Sequence, residues 1–272
     1  MPPALPHESN GRDHPVVTPQ RNLRRLVRDL LKDVTPARLV VASDFDGTLA
    51  PVVARPEEAV APVAALAALE RLVELGARVA VISGRSRDAL DRVVPIPGVR
   101  RLGDYGLEEP SAAERDALER FNVDVSVRIR ARPGVTLEAK PGSTSVHYRN
   151  DPTGGTGLFD ELAPLAAQLG LRAGEGRMVV EVRPPGADKG AALQRLLEAE
   201  RPAAVAFAGD DDGDRAAFEA AARHERHLVV GVRSDESPPD LFAACDAVVD
   251  NPAGWLMVLD LIGDVLQKSG DR

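Results

Sequence analysis

The 272-residue chain has a single cysteine, Cys245, and therefore neither an intrachain disulfide nor a cysteine-based zinc cluster. Aromatic residues make up only 3% of it, so Val, Ala and Leu must carry the core. No stretch approaches the ~18 uninterrupted apolar residues that a membrane-spanning helix requires. The opening "MPPALPHESNGRDHPVVTPQ" also lacks the apolar run of a signal peptide. Basic residues are in deficit, 34 Lys and Arg against 42 Asp and Glu, for a formal net charge of −8. That balance argues against a nucleic-acid or anionic-membrane partner, each of which needs a basic face. A small anionic substrate, which feels the local field of its site, stays open. Together these lacks describe a soluble, cytoplasmic protein. Residues 1–20, rich in Pro, His and Asn, read as a poorly ordered arm.

What is present is an alternation of buried strands and amphipathic helices. "NLRRLVRDLLKDV" has helical spacing, and the apolar run Leu39 to Ala42 reads as a strand buried on both faces. "PVAALAALERLVELG" follows as a helix closed by Gly76, then the strand "ARVAVIS" and the helix "SRDALDRVV". The pattern returns in "KGAALQRLLEAE", "AAVAFAG", "DRAAFEAAARH", "HLVVGV" and "GWLMVLDLIGDVL". Such alternation predicts an α/β fold with a doubly wound parallel sheet. Between its halves the period changes to two. "VDVSVRIR" (123–130), "GVTLEAK", "TSVHYRN" and "RMVVEVRP" read as half-wetted strands, with one helix in "GLFDELAPLAAQLG". The expectation is a core of residues 21–106 and 186–272, with an inserted α+β cap over 107–185.

In open α/β sheets ligands bind beyond the carboxyl ends of the strands. The predicted strand ends carry Asp44 and Asp46 in "SDFDGT", Ser83 in "VISGR", and Asp210 to Asp212 with Asp214 in "AGDDDGD". Lys189 opens a helix behind Asp188, a plausible N-cap. Each piece has a plainer reading. Asp-Gly is a common turn dipeptide, and a helix-start lysine is usually solvated. A calcium loop of the EF-hand type fails on spacing: from Asp44 the sixth and twelfth positions hold Leu49 and Arg55, and from Asp210 they hold Arg215 and Ala221. What separates the set from coincidence is that every polar cluster falls at a strand end or at the helix start behind one. Crowded carboxylates repel and lose solvation unless a hard dication such as Mg²⁺ sits among them. One carboxylate of the first pair could then attack phosphorus while the other moves protons, with Ser83 and Lys189 holding phosphoryl oxygens.

"DFDGTLAP", "SGR", "DKG" and "GDDDGD", in this order, resemble the four motifs of the haloacid dehalogenase-like phosphatases. That resemblance implies Asp44 as nucleophile and Asp46 as general acid/base. It implies Mg²⁺ held by Asp44, the Asp46 carbonyl and Asp210, with Asp214 as a second acidic support. Ser83, Gly84 and Lys189 would bind phosphate, and a cap between the second and third motifs would cover the site.

Within the cap, period two puts Glu138 with Lys140, His147 with Arg149, and Glu181 with Arg183 on common faces. Such a face is either solvated or a polar ceiling suited to hydroxyl-rich substrates. The stretches around Glu138 and Lys140, His147 to Arg149 and Glu181 to Pro184 resemble the trehalose-6-phosphate phosphatases. This implies a phosphorylated sugar as partner, most directly trehalose 6-phosphate, gripped by Glu138, Lys140 and Glu181. Arg85, Tyr105, His147 and Arg149 complete the expected substrate contacts. The chain departs from that family's pattern at Tyr105, where histidine is usual, at Gly213 in place of Thr, and at Arg215 in place of Glu. A modified or pseudo-disaccharide phosphate, a sugar phosphomutase and a non-catalytic phosphosugar sensor remain alternatives.

Overall fold

A computed structural model describes residues 17–270 except 54, 56–57, 108–109, 177, 235–236 and 239. Helix α1 (Gln20–Leu31) buries Leu23, Val27, Leu30 and Leu31 on one face. Six parallel strands follow: β1 (Leu39–Ser43), β2 (Arg78–Ile82), β3 (Val99–Leu102), β8 (Ala204–Gly209), β9 (His227–Arg233) and β10 (Ala247–Asp250). Their order is β10-β9-β8-β1-β2-β3. β1 and β8 are buried along their whole length, as expected for sheet interior covered on both faces. One face packs against α1, α2 (Val63–Glu74) and α8 (Asn251–Gly270). The other packs against α6 (Lys189–Glu200) and α7 (Arg215–Ala222). The fully buried Trp255 of α8 donates its indole N–H to Ser43 Oγ at 3.0 Å, tying that helix to the end of β1.

From β1 the chain winds outward to β2 and β3, and later from β8 outward to β9 and β10. The winding therefore reverses between β1 and β8, the position at which open α/β sheets form a crevice. Of the expected arm, residues 1–16 lie outside the described residues. Thr18 is bonded to the edge of the sheet, its N–H to Val248 O at 2.8 Å and its Oγ1 from Val248 N at 2.9 Å.

Between β3 and α6 stands a four-stranded antiparallel sheet of β4 (Thr136–Ala139), β5 (Thr144–His147), β6 (Arg172–Gly176) and β7 (Val179–Arg183), in the order β4-β5-β7-β6. Helices α4 (Ala112–Arg128) and α5 (Leu158–Gln168) cover one face, around Phe121, Val146, Leu162, Val180 and Val182. The stretch 123–130, expected as a strand, is instead mostly the end of α4. Leu118, Phe121 and Val125 recur at helical spacing and are buried, whereas Val123 and Val127 are exposed. A capping box at Ser111 and Glu114 starts the helix. The alternating valines are thus a coincidence laid over a 3.6-residue stripe that packs better. Among the described residues no helix is long and apolar enough to cross a membrane.

Candidate active site

The loop after β1 brings Asp44 and Asp46 to the crevice. Asp44 N–H donates to Ala208 O of β8 at 2.9 Å, so the sheet ladder itself positions the residue. Gly47 then turns the chain at φ +84, and a Cβ there would lie 2.0 Å from Asp210 Oδ2. Only glycine allows both the left-handed turn and that approach. Thr48 Oγ1 donates to Asp210 Oδ1 at 2.9 Å, cross-linking the two loops. The loop after β8 folds back so that Asp214 Oδ2 accepts from the N–H groups of Asp210 (2.9 Å) and Asp211 (3.2 Å). Asp188 caps α6 by accepting from Ala191 N at 2.8 Å, which sets Lys189 at the helix start. Lys189 Nζ lies 2.9 Å from Asp44 Oδ1 and 2.9 Å from Asp214 Oδ1.

The result is a buried charge cluster. Asp44, Asp210 and Asp214 each present a carboxylate oxygen, and the three oxygens lie within 4.8 Å of one another. Burial pushes the Asp44 carboxyl well up, with Lys189 pulling it back and Asp214, Asp210 and Asp211 adding to the rise. Burial likewise raises Asp214 to about 6 against the pull of Lys189. Burial alone would push the Lys189 ammonium down, but Asp214 and Asp44 hold it well above its ordinary value. Three carboxylates thus face one ammonium, an uncompensated negative charge that a cation would offset. An all-oxygen donor set suits a hard divalent ion. The residues present therefore fit the group that the sequence implied.

Asp46 sits apart from that cluster. Its carboxylate accepts a two-pronged bond from Arg85, Nε to Oδ2 and Nη2 to Oδ1, both at 2.7 Å. The Arg85 guanidinium also lies 4.9 Å over the Phe45 ring. Of the metal-ligand set of the sequence reading, the side chains of Asp44, Asp210 and Asp214 come together, while the Asp46 carboxylate, expected as general acid/base and not as a ligand, stands outside them. Arg85, expected on substrate, is engaged with Asp46.

Above the cluster lies a cavity of about 880 Å³ lined by the loops and helix starts of the core and by the cap sheet. Asp44, Asp46, Ser83, Gly84, Arg85 and Lys189 line its core wall. Glu138, Lys140, His147, Arg149 and Glu181 line its cap wall, and Tyr105 sits between the walls. Register explains the cap wall: Glu138 pairs with Ser145, and Ser145 with Glu181, in one row across β4, β5 and β7. Lys140 Nζ donates to Gly84 O and to Ser145 Oγ, both at 3.1 Å, bridging cap and core. His147 Nε2 lies 2.9 Å from Glu138 Oε2, and that contact holds the Glu138 carboxyl below the usual carboxylate range. Tyr105 is buried, and its hydroxyl meets Glu181 Oε2.

Sequence reasoning named Asp211 only within the acidic run and gave it no role, and it did not single out Thr48 or the use of Arg183, whose guanidinium lies 4.4 Å over the Tyr105 ring. Thr48 and Asp211 sit inside motifs already quoted, so their position was the available signal. Of the departures from the family pattern, Tyr105 and Gly213 line the cavity. Arg215 is instead taken up by Asp212 (2.7 Å) and Asp240 (2.9 Å).

Comparison with known proteins agrees with this geometry. The family model described as trehalose-phosphatase matches residues 42–244. A "Trehalose-phosphate phosphatase" of Mycobacterium marinum is 32% identical over 238 residues, covering 81% of this chain and 60% of that protein. A "Bifunctional trehalose-6-phosphate synthase/phosphatase" of Thermoproteus tenax is 36% identical over 231 residues, covering 78% of this chain and 31% of that protein. The chain therefore spans 60% or less of the length of these two relatives. The solved C-terminal domain of a C. albicans trehalose-6-phosphate phosphatase superposes with a TM-score of 0.74 at 19% identity, covering 93% of this chain and 99% of that one. At that identity the likeness shows the fold. With the family model spanning most of the sequence, the chain belongs to the trehalose-phosphatase family.

Proposed function

We propose that the protein is a Mg²⁺-dependent phosphatase that hydrolyses a disaccharide phosphate, with trehalose 6-phosphate as its foremost substrate. The observation that carries this reading is the buried cluster of Asp44, Asp210, Asp214 and Lys189 at the switch point, roofed by the polar face of the cap sheet. Asp44 attacks phosphorus, and the ester P–O bond breaks as Asp46 passes a proton to the departing sugar oxygen. The phosphoryl group then resides on the Asp44 carboxylate. Water attacks next, Asp46 takes its proton, and cleavage of the Asp44–phosphorus link releases phosphate. Ser83, Gly84 and Lys189 hold the phosphoryl oxygens and offset their charge. Asp44, Asp210 and the Asp46 carbonyl would hold Mg²⁺, supported by Asp214. The ion supplies charge neutralisation of the phosphoryl oxygens when bound. Glu138, Lys140, His147, Arg149 and Glu181 recognise sugar hydroxyls.

The test is release of inorganic phosphate from trehalose 6-phosphate, sucrose 6-phosphate, glucose 6-phosphate, mannose phosphates and an aryl phosphate, with Mg²⁺ and with chelator. Mg²⁺-dependent release, strongest from trehalose 6-phosphate, is expected. Release from the aryl phosphate and none of the sugars would keep the phosphatase and discard the substrate. Isomerised sugar phosphate without free phosphate would replace hydrolysis by phosphomutase chemistry.

A further inference from the structure

The segment joining β3 to the cap has an unusual backbone. Asp104, Tyr105 and Gly106 all lie in the left-handed region, at φ 48, 58 and 74. Two consecutive non-glycine residues there are costly and persist only where surroundings hold them. The restraints are visible: Asp104 N–H donates to Arg85 O at 2.7 Å and Tyr105 N–H to Ser83 O at 3.0 Å. The junction is therefore stitched to the loop proposed to bind phosphate. Its twisted backbone directs the Tyr105 side chain into the cavity, with the hydroxyl packed against Gly84. A Cβ on Gly84 would come within 2.5 Å of that oxygen, so no larger residue fits beside the phenol.

From this fixed base the Tyr105 hydroxyl bonds Glu181 Oε2 on the cap strand β7. Burial, then the neighbouring Glu181, raises the phenol well above its ordinary value, so it stays protonated and donates. Arg183 closes the group, its guanidinium over the Tyr105 ring and its Nη1 3.4 Å from the same Oε2. Among the described residues Glu181 Oε1 has no such partner, and Glu181 lines the cavity. One oxygen of this carboxylate is tied down and the other is left to accept from a ligand hydroxyl.

We propose that Tyr105 is a positioning residue that presets Glu181 to receive a sugar hydroxyl, so that sugar recognition on the cap is referenced to the phosphate loop of the core. This deepens the phosphatase reading above and rests on it. It assigns a specific role to a residue at which the chain departs from its family's pattern. A preset acceptor favours polyhydroxylated phosphate esters over phosphate esters without hydroxyls, because only the former offer a donor to Oε1.

The test is steady-state kinetics of Tyr105→Phe, Glu181→Ala and the double variant on the best sugar phosphate and on p-nitrophenyl phosphate. Phenylalanine keeps the ring beneath Arg183 and removes only the donor. The expected result is a loss of about tenfold or more in kcat/KM for the sugar phosphate, mostly through KM, with a loss within about threefold on the aryl ester. Adding Tyr105→Phe to Glu181→Ala should then change sugar-phosphate kcat/KM by less than about twofold, because the phenol acts through the carboxylate. Equal losses on both esters, no loss on either, or losses that multiply in the double variant would overturn the proposal. If the parent protein releases phosphate from aryl ester but from no sugar, the substrate reading fails first, and the wild-type panel identifies that outcome by itself.

Discussion

The two walls of the cavity carry similar side chains in opposite settings. On the core wall Asp44 is 3% exposed and Lys189 5%, with Asp214 at 0% behind them, and each is held by groups from a different loop. On the cap wall the side chain of Glu138 is 50% exposed and that of His147 29%. Charge that is buried and crowded costs stability, and a fold keeps it where the same low dielectric strengthens a reaction's electrostatics. Charge that is half-wet costs little and discriminates by hydrogen-bond geometry. The difference fits the division of labour proposed above, with chemistry on phosphorus assigned to the core wall and recognition of what carries it to the cap wall. Tyr105 spans the two.

The largest effect should come from the core wall and should ignore the identity of the substrate. Asp44→Asn is expected to lower turnover by roughly 10³-fold or more on sugar and aryl phosphates alike, since it removes the proposed nucleophile while keeping the side chain's shape. Phosphate-release assays on both substrates measure it. A rate retained on the aryl ester would break the assignment of chemistry to this wall.

A second effect belongs to the cost of the buried charge. Asp214 is raised to about 6 by burial, against an unfolded value of about 3.9. Between those values the native protein holds a proton that the unfolded chain has released. The contribution of Asp214 to stability in chelator therefore falls as pH rises through roughly 4 to 6, by about 3 kcal/mol for a shift of this size. Asp44 is raised by the same cause and adds in the same direction. Urea melts across that window in chelator should show this contribution as a decline of the parent protein relative to Asp214→Asn, and a gain on adding Mg²⁺, the ion proposed to bind the folded cluster. A parent protein whose stability rises over the window relative to Asp214→Asn would mean that Lys189 outweighs burial and keeps the cluster ionised.

Much of this contrast was legible in the chain. The strand ends could be placed because β1, β2 and β8 are short apolar runs whose polar residues begin where the apolar ones stop. Asp188 could be read as a cap because a helix of strong formers follows it. The period-two faces of β4, β5 and β7 put Glu138, His147 and Glu181 on one side, and the structure has them lining one cavity. Three things were hidden. The helix over 123–128 was masked by alternating valines, only one of which, Val125, is buried. The strands β3, β6 and β10 carry Arg, Glu, Gly or Asp at sheet positions, so composition did not announce them. The commitment of Arg85 to Asp46 is a contact between residues 39 apart, and nothing local encodes it.

The smallest effect sharpens the cap side of the comparison. Glu138 is engaged by His147 at 2.9 Å and by Lys140 at 3.6 Å, yet half of its side chain is in water. An exposed pair of this kind contributes at most ~1 kcal/mol, because water screens it and both side chains lose freedom to form it. Glu138→Ala should therefore leave the urea midpoint nearly where it was. It removes a carboxylate that can accept sugar hydroxyls, so kcat/KM on the disaccharide phosphate should fall by about tenfold, with the aryl ester changed by less than about twofold. A variant that loses stability and spares selectivity would show that Glu138 serves the cap sheet instead of the substrate. Loss of selectivity at constant stability is the outcome the half-wet setting calls for, since the position gives the fold almost nothing to lose.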